Sequence, residues 1–127
     1  MTDVRHPIFA WLYPRLDAAS AKAGGAAHRD ELLAGAAGRV LEVGAGHGAN
    51  FAHYPPEVTE VVAVEPEPRL RAKADVLAAR APVPVTVRPG VAEDLDVDDG
   101  SFDVAVASLV LCSVRDPVRA LAELRRA

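Results

Sequence analysis

Residues 40–49 read VLEVGAGHGA, a run of branched apolar residues that passes directly into three alternating glycines. A strand buried on both faces of a parallel sheet appears in sequence as such a run. Gly44 then permits a tight turn, Gly46 lets backbone approach a ligand closely, and a helix beginning behind them would aim its N–H groups at that ligand. With alanine at position 49, the stretch fits the G-x-G-x-x-G/A pattern of a dinucleotide site. It equally fits a site for S-adenosylmethionine, another adenosine-bearing cofactor. Either way a buried strand, a glycine turn and a following helix commit the chain to the α/β class.

The remainder of the chain repeats that alternation. EVVAV over residues 60–64 predicts a second strand, and the alanine-, arginine- and leucine-rich segment 67–81 predicts a helix closed by Pro82. VPVTVR over 83–88 predicts a third strand, placed at a sheet edge because Pro84 has no ladder donor. FDVAVA over 102–107 predicts a fourth. Asp116 is a candidate cap for a last helix, with Pro117 at its first position and Val118, Leu121 and Leu124 on one face. Ahead of the first strand, apolar spacing in residues 7–22 predicts a helix kinked at Pro14. A second short helix is expected from about Ala27 to Ala36, with Leu32 and Leu33 facing inward.

At 127 residues the chain suffices for one domain. We expect a single domain over 1–127, with a helical flap over 1–37 and a Rossmann-like, three-layer core over 38–127. Its net charge of −4 disfavours a nucleic-acid partner. The longest apolar run, residues 104–114, is interrupted by serines and is too short for a membrane span. Cys112 is the only cysteine, so an intrachain disulfide or cysteine–zinc cluster is not available. With neither a signal peptide nor a span in view, a cytoplasmic protein is expected.

Two acids narrow the choice of cofactor. Glu65 follows Gly44 by about one strand–helix–strand interval and ends the second strand, where a carboxylate accepts hydrogen bonds from both ribose hydroxyls. Glu42 lies two residues before the first glycine, within the buried strand, where an unpaired carboxylate is costly. A cofactor with a cationic amino-acid tail would give Glu42 a partner, directly or through water, whereas a pyrophosphate would be repelled. That favours S-adenosylmethionine over NAD. Gly48 extends the pattern to G-x-G-x-G and lengthens the arc open to close approach.

At these residues the sequence resembles the class I S-adenosylmethionine-dependent methyltransferases. EVGAGHG looks like their first motif, VVAVEPEPRL like the next strand and its acid, and GVAEDLDVDDGSFDVAVASLVLCSV like their adenine-side loop and fourth strand. HPIFAWLY, GANFAHYP and SLVLCSV most resemble the methyltransferase-11 type branch, which includes thiol and small-molecule methyltransferases. The resemblance implies that Gly44, Ala45 and Gly46 line the methionine moiety, with Glu42 anchoring the loop or the amino group. It places Glu65 on the ribose and Pro66 beside the adenine, with the Ala92 backbone N–H on the ring. Ser108 and Leu109 would border the sulfonium, and Asn50 and Phe51 would close over the ligand. Val91 stands where such proteins often carry an acid for the adenine amino group, and Glu93 is the candidate substitute.

Other constellations fail on spacing. A calcium loop counted from Asp94 requires glycine at position 6 and glutamate at position 12, and finds Asp99 and Ala105. The four histidines, His6, His28, His47 and His53, form no i, i+4 metal pair. His47 reads as a tolerated loop position and Cys112 as packing. No catalytic acid, base or nucleophile is assigned, and methyl transfer from a sulfonium needs chiefly proximity and orientation.

The expected strand order is 3-2-1-4. Proteins of the resembled kind continue past the last helix into about three further strands, so the fourth strand here is expected to present an open apolar edge. Two copies pairing through that edge form the expected homodimer. The sequence reading is therefore a methyltransferase acting on a small-molecule acceptor, a thiol or similar nucleophile. The alternatives are a shortened, inactive form or non-catalytic cofactor-binding module, and an NAD-binding half-domain, which Glu42 disfavours.

Overall fold

A computed structural model describes residues 24–108 and 113–127. The helix expected over 7–22, His6, Leu109 and Cys112 lie outside the described residues. In chain order the elements are helix α1 (Ala26–Leu33), strand β1 (Gly38–Val43), a 3-10 turn (Phe51–His53), β2 (Val58–Val64), α2 (Pro68–Ala78), β3 (Val85–Arg88), β4 (Val104–Ala107) and α3 (Pro117–Arg126).

The strands form one parallel sheet in the order β3-β2-β1-β4. That is the expected order, with β3 at one edge and β4 at the other. Strand β1 pairs on both sides, Val43 standing level with Val64 of β2 and with Ala107 of β4. Alternate side chains of β1 and β2 enter two apolar layers. Val40, Val61 and Ala63 pack with Leu33, Phe51, Tyr54 and Ala74 on one face. Leu41, Val43, Val62 and Val64 pack with Ala92, Leu95 and Ala120 on the other. By the two-residue period of a strand, Glu42 shares the face of Val40, the side carrying α1, the 3-10 turn and Tyr54.

The helix termini follow their local chemistry. Glu67 caps α2 by accepting from the Leu70 N–H at 2.9 Å, and Pro68 begins the helix. Asp116 does the same for Arg119 at 3.1 Å, with Pro117 opening α3. Both arrangements satisfy N–H groups that a helix start leaves orphaned.

Three sequence expectations are corrected. Leu32 and Leu33 do not both face inward: Leu33 is 1% exposed and Leu32 is 57% exposed. Neighbouring helix positions are about 100° apart, so one narrow contact face cannot take both. Strand β3 begins at Val85 rather than Val83, because Pro84 contributes its carbonyl, to the Val61 N–H at 2.8 Å, and no donor. Strand β4 begins at Val104, since the Phe102 N–H is engaged by the Ala127 carbonyl at 3.0 Å. The Phe102 ring lies 4.5 Å from the Arg39 guanidinium carbon, a cation–π contact.

Candidate functional site

The carboxyl ends of β1, β2 and β4 converge on the glycine turn. Leaving β1, the Gly44 and Ala45 N–H groups donate to the Val64 carbonyl at 2.8 and 3.2 Å, so the turn is laid across the end of β2. Gly46 has φ 61° and Gly48 φ 95°, both in the left-handed region that glycine tolerates best. The expected helix behind the glycines is absent. Residues 46–50 are successive turns that lead into the 3-10 turn at Phe51–His53. Two positive-φ residues and the following Pro55-Pro56 leave too short an interval for an α-helix.

Gly48 is packed closely against its own turn. A Cβ built there would lie 2.8 Å from the Phe51 ring, whose side chain is fully buried. The turn is thus closed over its own aromatic plug. On the outer side, His53 Nδ1 meets Asp30 Oδ1 at 2.6 Å and ties the 3-10 turn to α1.

Glu65, at the end of β2, is buried and holds the turn from below. Its Oε2 accepts from the Gly46 N–H at 3.0 Å and its Oε1 from the Glu67 N–H at 3.2 Å. Arg71 Nη1 donates to the Glu65 and Pro66 carbonyls, each at 2.9 Å, and fixes the Glu65–Pro66 corner. Burial raises the Glu65 carboxyl above its ordinary range, opposed by the two backbone N–H groups. A carboxylate has about four lone-pair sites, so acceptor capacity remains after these two bonds.

Glu42 is 1% exposed and has partners that sequence reasoning did not assign. The Tyr54 hydroxyl donates to Glu42 Oε1 at 2.5 Å, and the nearby Asn50 side chain favours the charged carboxylate. Desolvation nevertheless dominates and pushes the Glu42 carboxyl up to about 7, against the lowering effects of Tyr54, Asn50 and Arg29. Nearby Glu65 raises it further. The same environment raises the Tyr54 hydroxyl above its ordinary value, so it remains a protonated donor. Tyr54 carried a sequence signal: an aromatic residue with a polar tip, set directly before Pro55-Pro56, is placed rigidly and needs a partner when buried.

Asn50 is buried, and among the described residues its Oδ1 has no hydrogen-bond partner. An orphaned acceptor beside a half-compensated carboxylate suits an ammonium group. The residues present therefore fit the amino-acid end of S-adenosylmethionine, and the two acids oppose a pyrophosphate.

The other predicted positions separate into two groups. Gly44, Ala45, Gly46, Pro66 and Ser108 surround the strand ends. Ser108 directly follows Ala107, the β4 residue level with Val43, and so stands beside the start of the turn. Ala92 is buried in the layer with Val64 and Leu95. Glu93 is turned to other work: its Oε1 accepts from the Arg115 N–H and its carbonyl from Arg119 Nε, both at 2.9 Å, which bind the loop to the start of α3.

A parallel 3-2-1-4 sheet, a glycine turn leaving its inner strand and an acid ending the next strand define a Rossmann-like domain. The chain belongs to the methyltransferase domain family of the methyltransferase-11 type, whose model matches residues 41–127. It is 42% identical over 101 residues to the thiol S-methyltransferase TMT1B of Homo sapiens, a match covering 74% of this chain and 40% of that protein. Among solved structures, it is 31% identical to an S-adenosylmethionine-dependent methyltransferase of Thermotoga maritima, with a TM-score of 0.73 over 94% of this chain and 54% of that one. A Methanococcus maripaludis protein with 14% identity shares the fold at a TM-score of 0.75, covering 99% of this chain and 62% of its own. The chain spans about 40% of the human relative's length.

Among the described residues, no cluster of three or more His, Cys, Asp or Glu side chains is placed to hold a metal ion. No described helix is long and apolar enough to cross a membrane.

Proposed function

We propose that the chain binds S-adenosylmethionine at the ends of β1, β2 and β4 and serves transfer of its methyl group to a small molecule. The observation that carries the reading is the Glu42–Asn50 pair, a buried carboxylate with an orphaned amide oxygen beside it. Glu42 and Asn50 would receive the cofactor's ammonium group. The remaining acceptor capacity of Glu65 would take the ribose hydroxyls, with Pro66 and the backbone at Ala92 along the adenine. Gly44, Ala45 and Gly46 would line the amino-acid portion, and Ser108 and Leu109 would border the sulfur.

When bound, the cofactor supplies a methyl group on a sulfonium, an activated leaving group. The protein's part is then to hold donor and acceptor in line. A thiol acceptor fits this economy, because a thiolate needs no base at the moment of attack. The similarity to a thiol S-methyltransferase supports the same acceptor class. The finer elements of the reading are a single domain over 1–127, a cytoplasmic setting, and association of two copies through the outer edge of β4. That strand has β1 as its partner on its inner side. Light scattering at micromolar concentration tests the association, and a stable monomer refutes it.

Calorimetry with S-adenosylmethionine, S-adenosylhomocysteine and NAD tests the cofactor. Heat with the two sulfur ligands and none with NAD is expected, and the reverse pattern overturns the assignment. Product formation over a panel of thiols and phenols, with Glu65→Ala as control, tests the transfer. Binding without turnover across the panel would identify a cofactor-binding module instead.

A further inference from the structure

We propose that Tyr54 is a positioning residue for cofactor binding: its hydroxyl holds the Glu42 carboxylate ionised and oriented, so that Glu42 and the Asn50 carbonyl oxygen together receive an ammonium group. The inference rests on the proposed cofactor and deepens it by assigning a role to a residue outside the glycine motif.

The geometry is specific. Tyr54 is 3% exposed and reaches Glu42 from the segment after the 3-10 turn, twelve residues along the chain, with a 2.5 Å hydrogen bond to Oε1. Glu42 is central in the sheet, flanked by Ala63 of β2 and Val106 of β4, and neither side chain offers a polar contact. Its compensation comes from the layer above. Among the described residues these groups are Tyr54, Asn50, Arg29 of α1 and, with opposite effect, Glu65 at the end of β2. A phenol donor stabilises the charged carboxylate and does nothing comparable for the neutral acid. Tyr54 thereby sets the pH above which Glu42 is an anion able to attract a cation. Asn50 lies near the carboxylate, and among the described residues its carbonyl oxygen has no partner, so the pair presents an acceptor surface only while Glu42 is fixed in place. Tyr54 touches neither the reacting carbon nor the sulfur in this scheme. It acts through Glu42.

The test uses the full chain with ¹³C-labelled glutamate and follows the Glu42 carboxyl resonance through a pH titration without ligand, in the native protein and in Tyr54→Phe. The Glu42 midpoint is expected to rise by about one pH unit in the variant, the loss of one hydrogen bond to a charged group. S-adenosylhomocysteine affinity, measured by calorimetry, is expected to fall about threefold at pH 7.5 and to recover towards the native value near pH 9. An unchanged midpoint overturns the proposal, as does weakened binding that no rise in pH restores. Should Tyr54→Phe fail to fold, incorporation of 3-fluorotyrosine supplies a more acidic donor at the same position. The Glu42 midpoint must then fall, and a static midpoint overturns the proposal. Failure of the native chain to bind S-adenosylhomocysteine would overturn the proposed function, and the ligand-free titration would still decide the role of Tyr54.

Discussion

Replacing Glu42 by glutamine should make the protein more stable at alkaline pH and impair its site. In the folded chain the Glu42 carboxyl titrates at about 7, against an ordinary value of 4.5, and desolvation by burial is the leading cause. A group whose folded-state value is raised favours the fold fully below about 4.5 and loses that contribution as pH climbs through about 7. The interval corresponds to roughly 3 kcal/mol once the pH is well above 7, at about 1.4 kcal/mol for each pH unit. Glutamine keeps the shape and offers an oxygen to Asn50 and an amide to the Tyr54 oxygen, with no charge to bury. The variant and the native protein should therefore have similar stability at pH 5. At pH 8.5 the variant should be the more stable by up to about 3 kcal/mol, which for a domain of this size is about 10 °C in Tm.

The assay is urea denaturation of both proteins at half-unit steps from pH 5 to pH 8.5. Other titrating groups, Glu65 among them, contribute to each curve and cancel in the difference to the extent that they are independent of residue 42. A difference that opens over pH 5–8 is the expected result. Parallel curves would refute the claim that an uncompensated charge at Glu42 destabilises the fold. In the same variant S-adenosylhomocysteine binding should weaken at least about tenfold at pH 8, since the ammonium group loses an anionic partner.

Glu65→Ala removes the acceptor of the Gly46 and Glu67 N–H groups, and calorimetry should show S-adenosylhomocysteine affinity reduced by at least about tenfold with the circular dichroism of the fold retained. Gly48→Ala must place a Cβ against the Phe51 ring at φ 95°, and chemical denaturation should show a loss of about 2 kcal/mol or more. Leu33→Ala should cost about 3 kcal/mol, while Leu32→Ala, one residue earlier but exposed, should stay within about 0.5 kcal/mol by the same measurement.

The parts of this molecule legible in its sequence are those decided by local pattern. EVVAV and the VLEV run are apolar at all but one position each, Glu60 and Glu42, because β1 and β2 are covered on both faces, and that near-continuity marks them as inner strands. Asp116-Pro117 and Glu67-Pro68 announce helix starts through their own side-chain chemistry. Pro84 put β3 at an edge by lacking a donor. The features that local pattern leaves open depend on how the chain folds back on itself. The glycine pattern does not show that Phe51 packs against Gly48. Nor does the acidic loop show that Glu93 meets the Arg115 N–H ahead of α3. Tyr54 signals the need for a partner but not its identity, because Glu42 lies in a strand twelve residues earlier and only the sheet's alternation brings it to the Tyr54 side.

The pairing of Glu42 with Tyr54 also alters why this site should prefer one cofactor. From sequence, Glu42 seemed to lack any partner, so a cation was needed to explain it. The structure supplies the Tyr54 hydroxyl as a neutral donor with Asn50 nearby, and the carboxylate is still raised to about 7. Neutral hydrogen bonds therefore do not repay the desolvation, and Glu65 nearby adds repulsion. A ligand bearing positive charge relieves both terms at once, whereas a pyrophosphate adds to them. It follows that ligand-induced stabilisation should grow with pH from 6 to 8 for S-adenosylmethionine, as Glu42 ionises and the free protein becomes costlier to keep folded. NAD should show no such gain. On the proposed reading, the two buried acids, more than the glycine turn, would set the sign of the charge accepted here.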